Sequence, residues 1–319
     1  MRVLVAEPLS AEGVDLLATE HEVDNRPNLT RAELLSALPD YEALVVRSGV
    51  KVDAEAISAG KRLKVIGRAG VGVDNIDVEA ATAAGIVVVN APTANTIAAA
   101  ELTVGLIYAL ARNVAAADAS LRRGEWRRAD FMGTELRGKT LGIVGLGKIG
   151  LTVADRARAM EMELLGSDPF VRADIAAEHG IELVELDELL RRSDVVTVHV
   201  PLNAATRGLI DERALSQMKP SAFIVNVARG GVVDEKALAE ALSGSRLAGA
   251  AIDVYEHEPP RDSPLLSAPN TVLTPHLGAS TREAQAKAGL EVAQQVLDVL
   301  AGRPAQYAVN APPAGAARG

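Results

Sequence analysis

Three polar side chains stand just past three short strand-like runs late in the chain. Arg229 follows residues 222–226, Glu258 follows 248–253 and His276 follows 271–274. A guanidinium can hold a carboxylate or carbonyl, an imidazole can exchange a hydroxyl proton, and a carboxylate can tune that imidazole. These are the groups a protein supplies for hydride transfer between a nicotinamide cofactor and an alcohol. A cofactor site is legible in residues 140–169. An apolar run, 141–144, leads into Gly145-Leu146-Gly147-Lys148-Ile149-Gly150, and a second run, 163–167, ends at Asp168. In such a G-x-G-x-x-G unit the first glycine allows the tight turn and the second lets the backbone approach a pyrophosphate. The third lets the helix pack on the sheet, and the helix N-terminus presents free N–H groups to the anion. Asp168 stands where an acidic residue accepts hydrogen bonds from a ribose. Pro169 and Phe170 follow it, with no arginine directly after it to meet a 2′-phosphate, so the expected cofactor is NAD rather than NADP.

The remaining histidines offer less. His21 and His179 lie in polar contexts and are expected to be solvated. His199 falls inside the strand expected over 194–201 and reads as a satisfied core imidazole. His257 is flanked by Glu256 and Glu258, which are expected to face water rather than bind a metal.

The elements that position these groups alternate throughout. Residues 1–92 predict strands at 2–6, 43–47, 63–67 and 86–90, with helices at 11–19 and 29–37; Thr30 and Glu33 have capping-box spacing. Parallel sheets covered by helices bind ligands beyond the carboxyl ends of their strands. Arg47 and Arg68 sit at two such ends beside glycines, which points to an anion pocket. Residues 94–123 read as one long helix, apolar over most of its circumference and so buried between domains or at a subunit interface. The segment 122–131, RRGEWRRADF, is either a solvated loop or an arm reaching to a second copy.

Runs at 141–144, 163–167, 194–201, 222–226, 248–253 and 271–274 give six further parallel strands, with helices at 211–217 and 234–242 among their connections. A final helix covers 281–300, stopped by Gly302 and Pro304. The expected fold class is α/β with two doubly wound domains. A central Rossmann domain takes 94–282, a discontinuous flavodoxin-like domain takes 1–93 and 283–312, and 313–319 form a disordered tail.

Composition narrows the partners. The 319 residues carry a net charge of −9, which argues against nucleic acid or an anionic membrane. Without cysteine there is no disulfide, thiolate metal site or cysteine nucleophile, which suits a reducing, cytoplasmic setting. The start of the chain reads as a first strand and not as a signal peptide. The longest apolar candidate, around 96–111, is interrupted by Glu101.

Five segments together resemble the D-isomer-specific 2-hydroxyacid dehydrogenases: RAGVGVDNID (68–77), GLGKIG (145–150), NVARGGVVDE (226–235), AIDVYEHEP (251–259) and PHLGAST (275–281). FMGTELRGKT (131–140) and HLGASTREAQ (276–285) narrow the resemblance to members acting on a phosphorylated acid. It implies NAD-dependent oxidation of 3-phospho-D-glycerate in serine biosynthesis. The alternatives are a glyoxylate or hydroxypyruvate reductase and an NAD-sensing corepressor-like protein. The resemblance also implies roles. Arg229 would bind the substrate carboxylate and keto oxygen, His276 would exchange the proton, and Glu258 would pair with His276. Lys148 and Ile149 would meet the pyrophosphate and Asp168 the ribose. Val200, Val227, Ala228 and Asp253 would lie near the nicotinamide, with Gly278 and Ala279 closing the site. Arg47, Arg68, Gly70 and Asn95 would hold substrate anions, joined by Arg127 or Arg128 of a neighbouring subunit in a homodimer or homotetramer. Lys148 departs from the arginine of many relatives, and Val71 from the threonine of some. The chain ends where longer relatives continue into serine-sensing domains, either as a short form or as a piece of a longer chain, and feedback through such a domain is not expected.

Overall fold

The structure, a computed structural model, describes residues 1–312; the tail expected at 313–319 lies outside the described residues. The chain divides into two compact units, Met1–Asn95 with Ala279–Gly319, and Thr96–Gly278.

The first unit begins with β1 (Arg2–Val5), α1 (Ala11–Ala18), β2 (Glu22–Asn25), α2 (Arg31–Ala37) and β3 (Ala43–Val46). It continues through α3 (Ala54–Ala59), β4 (Val65–Arg68), α4 (Val78–Ala83) and β5 (Val87–Asn90). The five strands are parallel in the order β2-β1-β3-β4-β5, the flavodoxin-like order. β1, β3 and β4 are almost wholly buried and mostly apolar, as strands covered on both faces must be, with Arg2 and Arg68 at the ends of β1 and β4. The capping box at the start of α2 is formed, Thr30 accepting from the Glu33 N–H and Glu33 from the Thr30 N–H. Val309 donates to Val88 at 2.7 Å and closes the β5 edge.

The second unit holds α5 (Thr96–Ala111), α6 (Val114–Arg122), β6 (Thr140–Val144), α7 (Lys148–Ala159), β7 (Glu163–Ser167), α8 (Ala173–Glu178), β8 (Ile181–Leu183) and α9 (Leu186–Arg192). β9 (Val195–Val198), α10 (Glu212–Gln217), β10 (Phe223–Asn226), α11 (Glu235–Ser243), β11 (Gly249–Ile252) and β12 (Thr271–Leu273) complete it. Its seven strands are parallel, in the order β12-β11-β10-β9-β6-β7-β8. The order reverses at β6, so the loops after β6 and β9 flank the crevice where such sheets bind ligands. The last helix, α12 (Arg282–Leu300), belongs to the first unit and packs on α1, β4 and β5. Gly13 and Gly289 let α1 and α12 meet backbone to backbone, since a Cβ on Gly13 would lie 2.9 Å from the Gly289 carbonyl.

The structure corrects the sequence reading of several elements. The helix expected over 94–123 is two helices bent by 63°. Asn113 breaks it in a left-handed conformation, φ 54°, which asparagine tolerates better than most residues. α5 is buried on the sheet of its own unit, against α7, β10 and β11, while Ile97 and Tyr108 remain exposed. The sheets have five and seven strands rather than four and six. The additional strands, β2 and β8, are short edge strands of mixed polarity and lack the apolar run that marks a central strand.

Candidate active site

The nucleotide crevice is built by loops after β6, β7 and β9. Gly145 leaves β6 at φ 94°, a conformation strained for any residue with a Cβ. A Cβ there would also lie 2.8 Å from Val200 Cγ1, so Gly145 lets the two crevice loops touch. Gly150 starts the helix against the carbonyl oxygen of Gly145, which a Cβ would approach to 2.1 Å. Gly147 differs, since a Cβ on it would meet nothing within 4 Å. Its open side faces away from the protein's own atoms, and as N-cap of α7 it offers no side chain to the first N–H groups. Those donors and that space fit a pyrophosphate. The Asp168 carboxylate accepts from the N–H groups of Leu146, at 2.8 Å, and Phe170, at 2.8 Å. It is thereby locked beside the glycine loop, with acceptor capacity left for ribose hydroxyls. The residues present therefore fit NAD.

Glu258, His276 and Arg229 lie on loops at the same edge of the sheet. Glu258 Oε2 is 2.7 Å from His276 Nδ1. The other carboxylate oxygen accepts the Tyr255 N–H at 3.1 Å. Burial alone would raise the Glu258 carboxyl. The bond to His276, the imidazole charge, the Tyr255 N–H and the Arg229 charge outweigh it and hold Glu258 below the usual carboxylate value. His276 sits at φ 54°, a strained position for a histidine, and its loop is held firmly. Its N–H donates to the Asp253 carbonyl at 2.9 Å. The fully buried Asp253 carboxylate accepts from Thr274 Oγ1 at 2.6 Å, Leu277 N at 2.7 Å and Gly278 N at 2.9 Å. Asp253 thus organises the loop that carries His276.

The Arg229 loop is set by Asn226, which accepts the Ala228 N–H at 3.0 Å and donates to the Arg229 carbonyl at 2.9 Å. Arg229 Nη1 donates to the Ala228 carbonyl at 2.7 Å. Gly230 presses this loop onto the Glu258 loop, since a Cβ there would lie 1.8 Å from the Tyr255 carbonyl oxygen. The site therefore presents an imidazole paired to a carboxylate near a guanidinium, beside a crevice shaped for a dinucleotide.

Sequence reading did not single out Asn226 or Tyr255. Tyr255 is buried and donates to the carbonyls of Ile252 and Thr274, tying together the strand ends that carry Glu258 and His276. Burial, with the charges of Asp253, Glu235 and Glu258, pushes its phenol up to about 12. Only an asparagine at a strand end and a tyrosine beside Glu258 could have signalled them.

The other sequence candidates separate by unit. Val200, Val227, Ala228 and Gly278 are in the second unit; a Cβ on Gly278 would touch Val227 Cγ1 at 3.2 Å. Arg47, Arg68, Gly70, Asn95 and Ala279 belong to the first unit. Arg127 donates to Asp130 at 2.6 Å within its own segment, and Arg128 beside it is exposed. His199 follows β9 rather than lying inside it. Its Nε2 is 3.0 Å from Thr197 Oγ1, and burial pushes its pKa down to about 4. His179 pairs with Asp155 at 2.8 Å, while both ring nitrogens of His21 are buried without hydrogen bonds. The expectation of a solvated side chain is therefore corrected for His21, whose surroundings enclose it more than its polar sequence neighbours imply.

Residues 104–278 match the D-isomer specific 2-hydroxyacid dehydrogenase, NAD binding domain. The chain belongs to this family. It is 52% identical over 314 residues to the D-3-phosphoglycerate dehydrogenase of Archaeoglobus fulgidus, covering 98% of this chain and 60% of that protein. The chain thus spans about three fifths of that relative's length. A solved structure of a Thermus thermophilus protein superposes with a TM-score of 0.90 at 37% identity, covering 97% of this chain and 100% of that one. A glyoxylate reductase from Paecilomyes thermophila superposes with a TM-score of 0.86 at 34% identity, covering 97% and 98%.

Proposed function

We propose that the protein oxidises 3-phospho-D-glycerate to 3-phosphohydroxypyruvate with NAD, as a homo-oligomer supplying L-serine synthesis. The observation that carries the chemistry is the 2.7 Å pair of Glu258 and His276, which Arg229 faces closely enough to depress the Glu258 carboxyl. NAD, when bound, would supply the acceptor for the hydride of the substrate carbon. His276 turns Nδ1 to Glu258, so Nε2 is the nitrogen that removes the hydroxyl proton and, in reverse, returns it. Glu258 orients the ring and stabilises the imidazolium. Arg229 holds the substrate carboxylate and the oxygen that becomes the keto group. Lys148, Ile149 and Asp168 hold the cofactor, and the carboxylate at 168 selects against a 2′-phosphate.

The phosphorylated substrate is supported by the likeness to the D-3-phosphoglycerate dehydrogenase of Archaeoglobus fulgidus and by the arginines at strand ends. Arg47, Arg68, Gly70 and Asn95 are assigned to the substrate's anionic groups, for which guanidinium forks are suited. The homo-oligomer, dimer or tetramer, is supported by exposed Ile97, Tyr108, Val114, Leu121, Trp126 and Met132 along α5, α6 and the following arm. Arg128 is the better placed of the two arm arginines to meet a neighbour's ligand, because Arg127 is paired to Asp130. Sedimentation of Trp126→Arg beside wild type tests the assembly; an unchanged mass contradicts the arm's role.

The glyoxylate reductase neighbour supports a second reading, reduction of a small unphosphorylated keto acid. It uses Arg229, Glu258 and His276 but asks little of Arg47 and Arg68. NADH formation from 3-phospho-D-glycerate, with the keto product trapped, separates the two. No turnover with NADH still bound would favour an NAD-sensing protein.

A further inference from the structure

We infer that Glu7, with Asn75, is a positioning residue for Arg47, and through it sets affinity for the phosphorylated substrate; this rests on the assignment of Arg47 to the substrate anion. In the first sheet the strand order reverses between β1 and β3, so its ligand crevice opens beyond their carboxyl ends. Glu7 follows β1 there, and Arg47 follows β3. The Glu7 carboxylate accepts from Arg47 N at 2.6 Å, Gly49 N at 2.9 Å and Val50 N at 3.0 Å. Three N–H groups of one loop converging on one carboxylate form an anion-binding nest, and here the anion is the protein's own. Asn75 takes the other polarity, donating to the carbonyls of Arg47 at 2.8 Å and Val50 at 2.7 Å. Two side chains therefore bond the backbone of residues 47–50 five times.

Gly49 makes room for this arrangement, since a Cβ there would lie 2.9 Å from Glu7 Oε1. No salt bridge to Glu7 is present among the described residues, so its charge is met by backbone donors alone. Glu7 thereby fills the backbone nest and fixes the start of the Arg47 side chain. An incoming phosphate meets the guanidinium and not the loop amides. The carboxylate is too close to the nest for both anions to share it, so Glu7 also restricts where the substrate's charge can sit.

The test is a double-mutant cycle on the full chain, read as KM for 3-phospho-D-glycerate, kcat, NADH affinity and Tm. Glu7→Ala is expected to raise KM roughly tenfold or more, the scale of lost charge-assisted bonds. It leaves kcat within a few-fold and NADH affinity unchanged. Glu7→Gln, which keeps one acceptor oxygen, falls between, and it carries the test if Glu7→Ala does not fold. Because Glu7 acts through Arg47, adding Glu7→Ala or Glu7→Gln to Arg47→Ala should raise KM little further. A high KM in Arg47→Ala with a wild-type KM in the Glu7 variants overturns the inference alone. Effects that multiply in the double variant also overturn it. A wild-type KM in Arg47→Ala overturns the assignment of Arg47 itself, and the inference with it.

Discussion

His276 Nδ1 lies 2.7 Å from Glu258 Oε2, across eighteen residues of chain, and this leaves Nε2 as the ring nitrogen outside that bond. The bond joins the loop after β11 to the loop after β12, and Tyr255 and Asp253 hold those two loops in place. The imidazole is thus held by the sheet and not by a flexible segment.

Replacing that imidazole would remove the proposed proton acceptor and leave the crevice after β6 intact. His276→Asn is expected to lower kcat by about 10²–10⁴-fold, the usual range for a general acid/base. NADH affinity, measured by fluorescence titration, should stay at the wild-type value. Undiminished turnover would remove His276 from the chemistry.

The central unit was legible because its parts are local. The strand 141–144, the glycines at 145, 147 and 150, the helix and Asp168 fall within one stretch, and each leaves its mark on residue type. What escaped was set by distant partners. Asn113 breaks a helix from within an otherwise uniform helical pattern. β2 and β8 are strands because a neighbour offers an edge, not because of their own residues. Glu7 meets the Arg47 loop about forty residues later, and nothing near Glu7 in sequence announces it. The same holds for Asn226 and Tyr255, which support the candidate residues without resembling them, and for the part Asp253 takes in holding the His276 loop.

His199 carries a pH signature. Its pKa is pushed down to about 4 in the folded chain against 6.5 for the free side chain. Between those values the unfolded chain binds the proton and the folded chain does not, so stability rises with pH there and is lost as pH falls from 6.5 towards 4. From pH 7 to pH 5 the loss should be about 2 kcal/mol by this group. Urea unfolding at both pH values should show a smaller loss in His199→Asn than in wild type; equal losses would show that His199 is not the group responsible.

Asp168, bonded to the glycine loop, is the proposed acceptor for the cofactor ribose. Asp168→Ala removes the acceptor for Leu146 and Phe170 as well as for the hydroxyls. The dissociation constant for NADH is expected to rise roughly 10–100-fold. That for NADPH, already opposed by the carboxylate, should change little or improve. Parallel calorimetric titrations check this, and an equal weakening of both cofactors would speak for a merely structural Asp168.

Gly230 tests how the Arg229 loop meets the Glu258 loop. The Cβ of Gly230→Ala would collide with backbone rather than with a yielding side chain. The loops must separate, and kcat/KM should fall by about tenfold or more for a displacement near 1 Å. Gly147→Ala is the contrasting case, since its Cβ meets no protein atom. It should leave Tm unchanged and weaken NADH binding. The reverse pattern, with Gly147 governing stability and Gly230 silent, would contradict the loop geometry.

The central claim is that an Arg229–Glu258–His276 dehydrogenase acts on a phosphorylated D-hydroxy acid. The most direct measurement is kcat/KM for NADH formation from 3-phospho-D-glycerate beside D-glycerate, D-lactate and glycolate, in wild type and in Arg47→Ala and Arg68→Ala. The account predicts a strong preference for the phosphorylated acid in wild type, reduced in both variants. Equal or better turnover of the unphosphorylated acids, indifferent to Arg47 and Arg68, would contradict it.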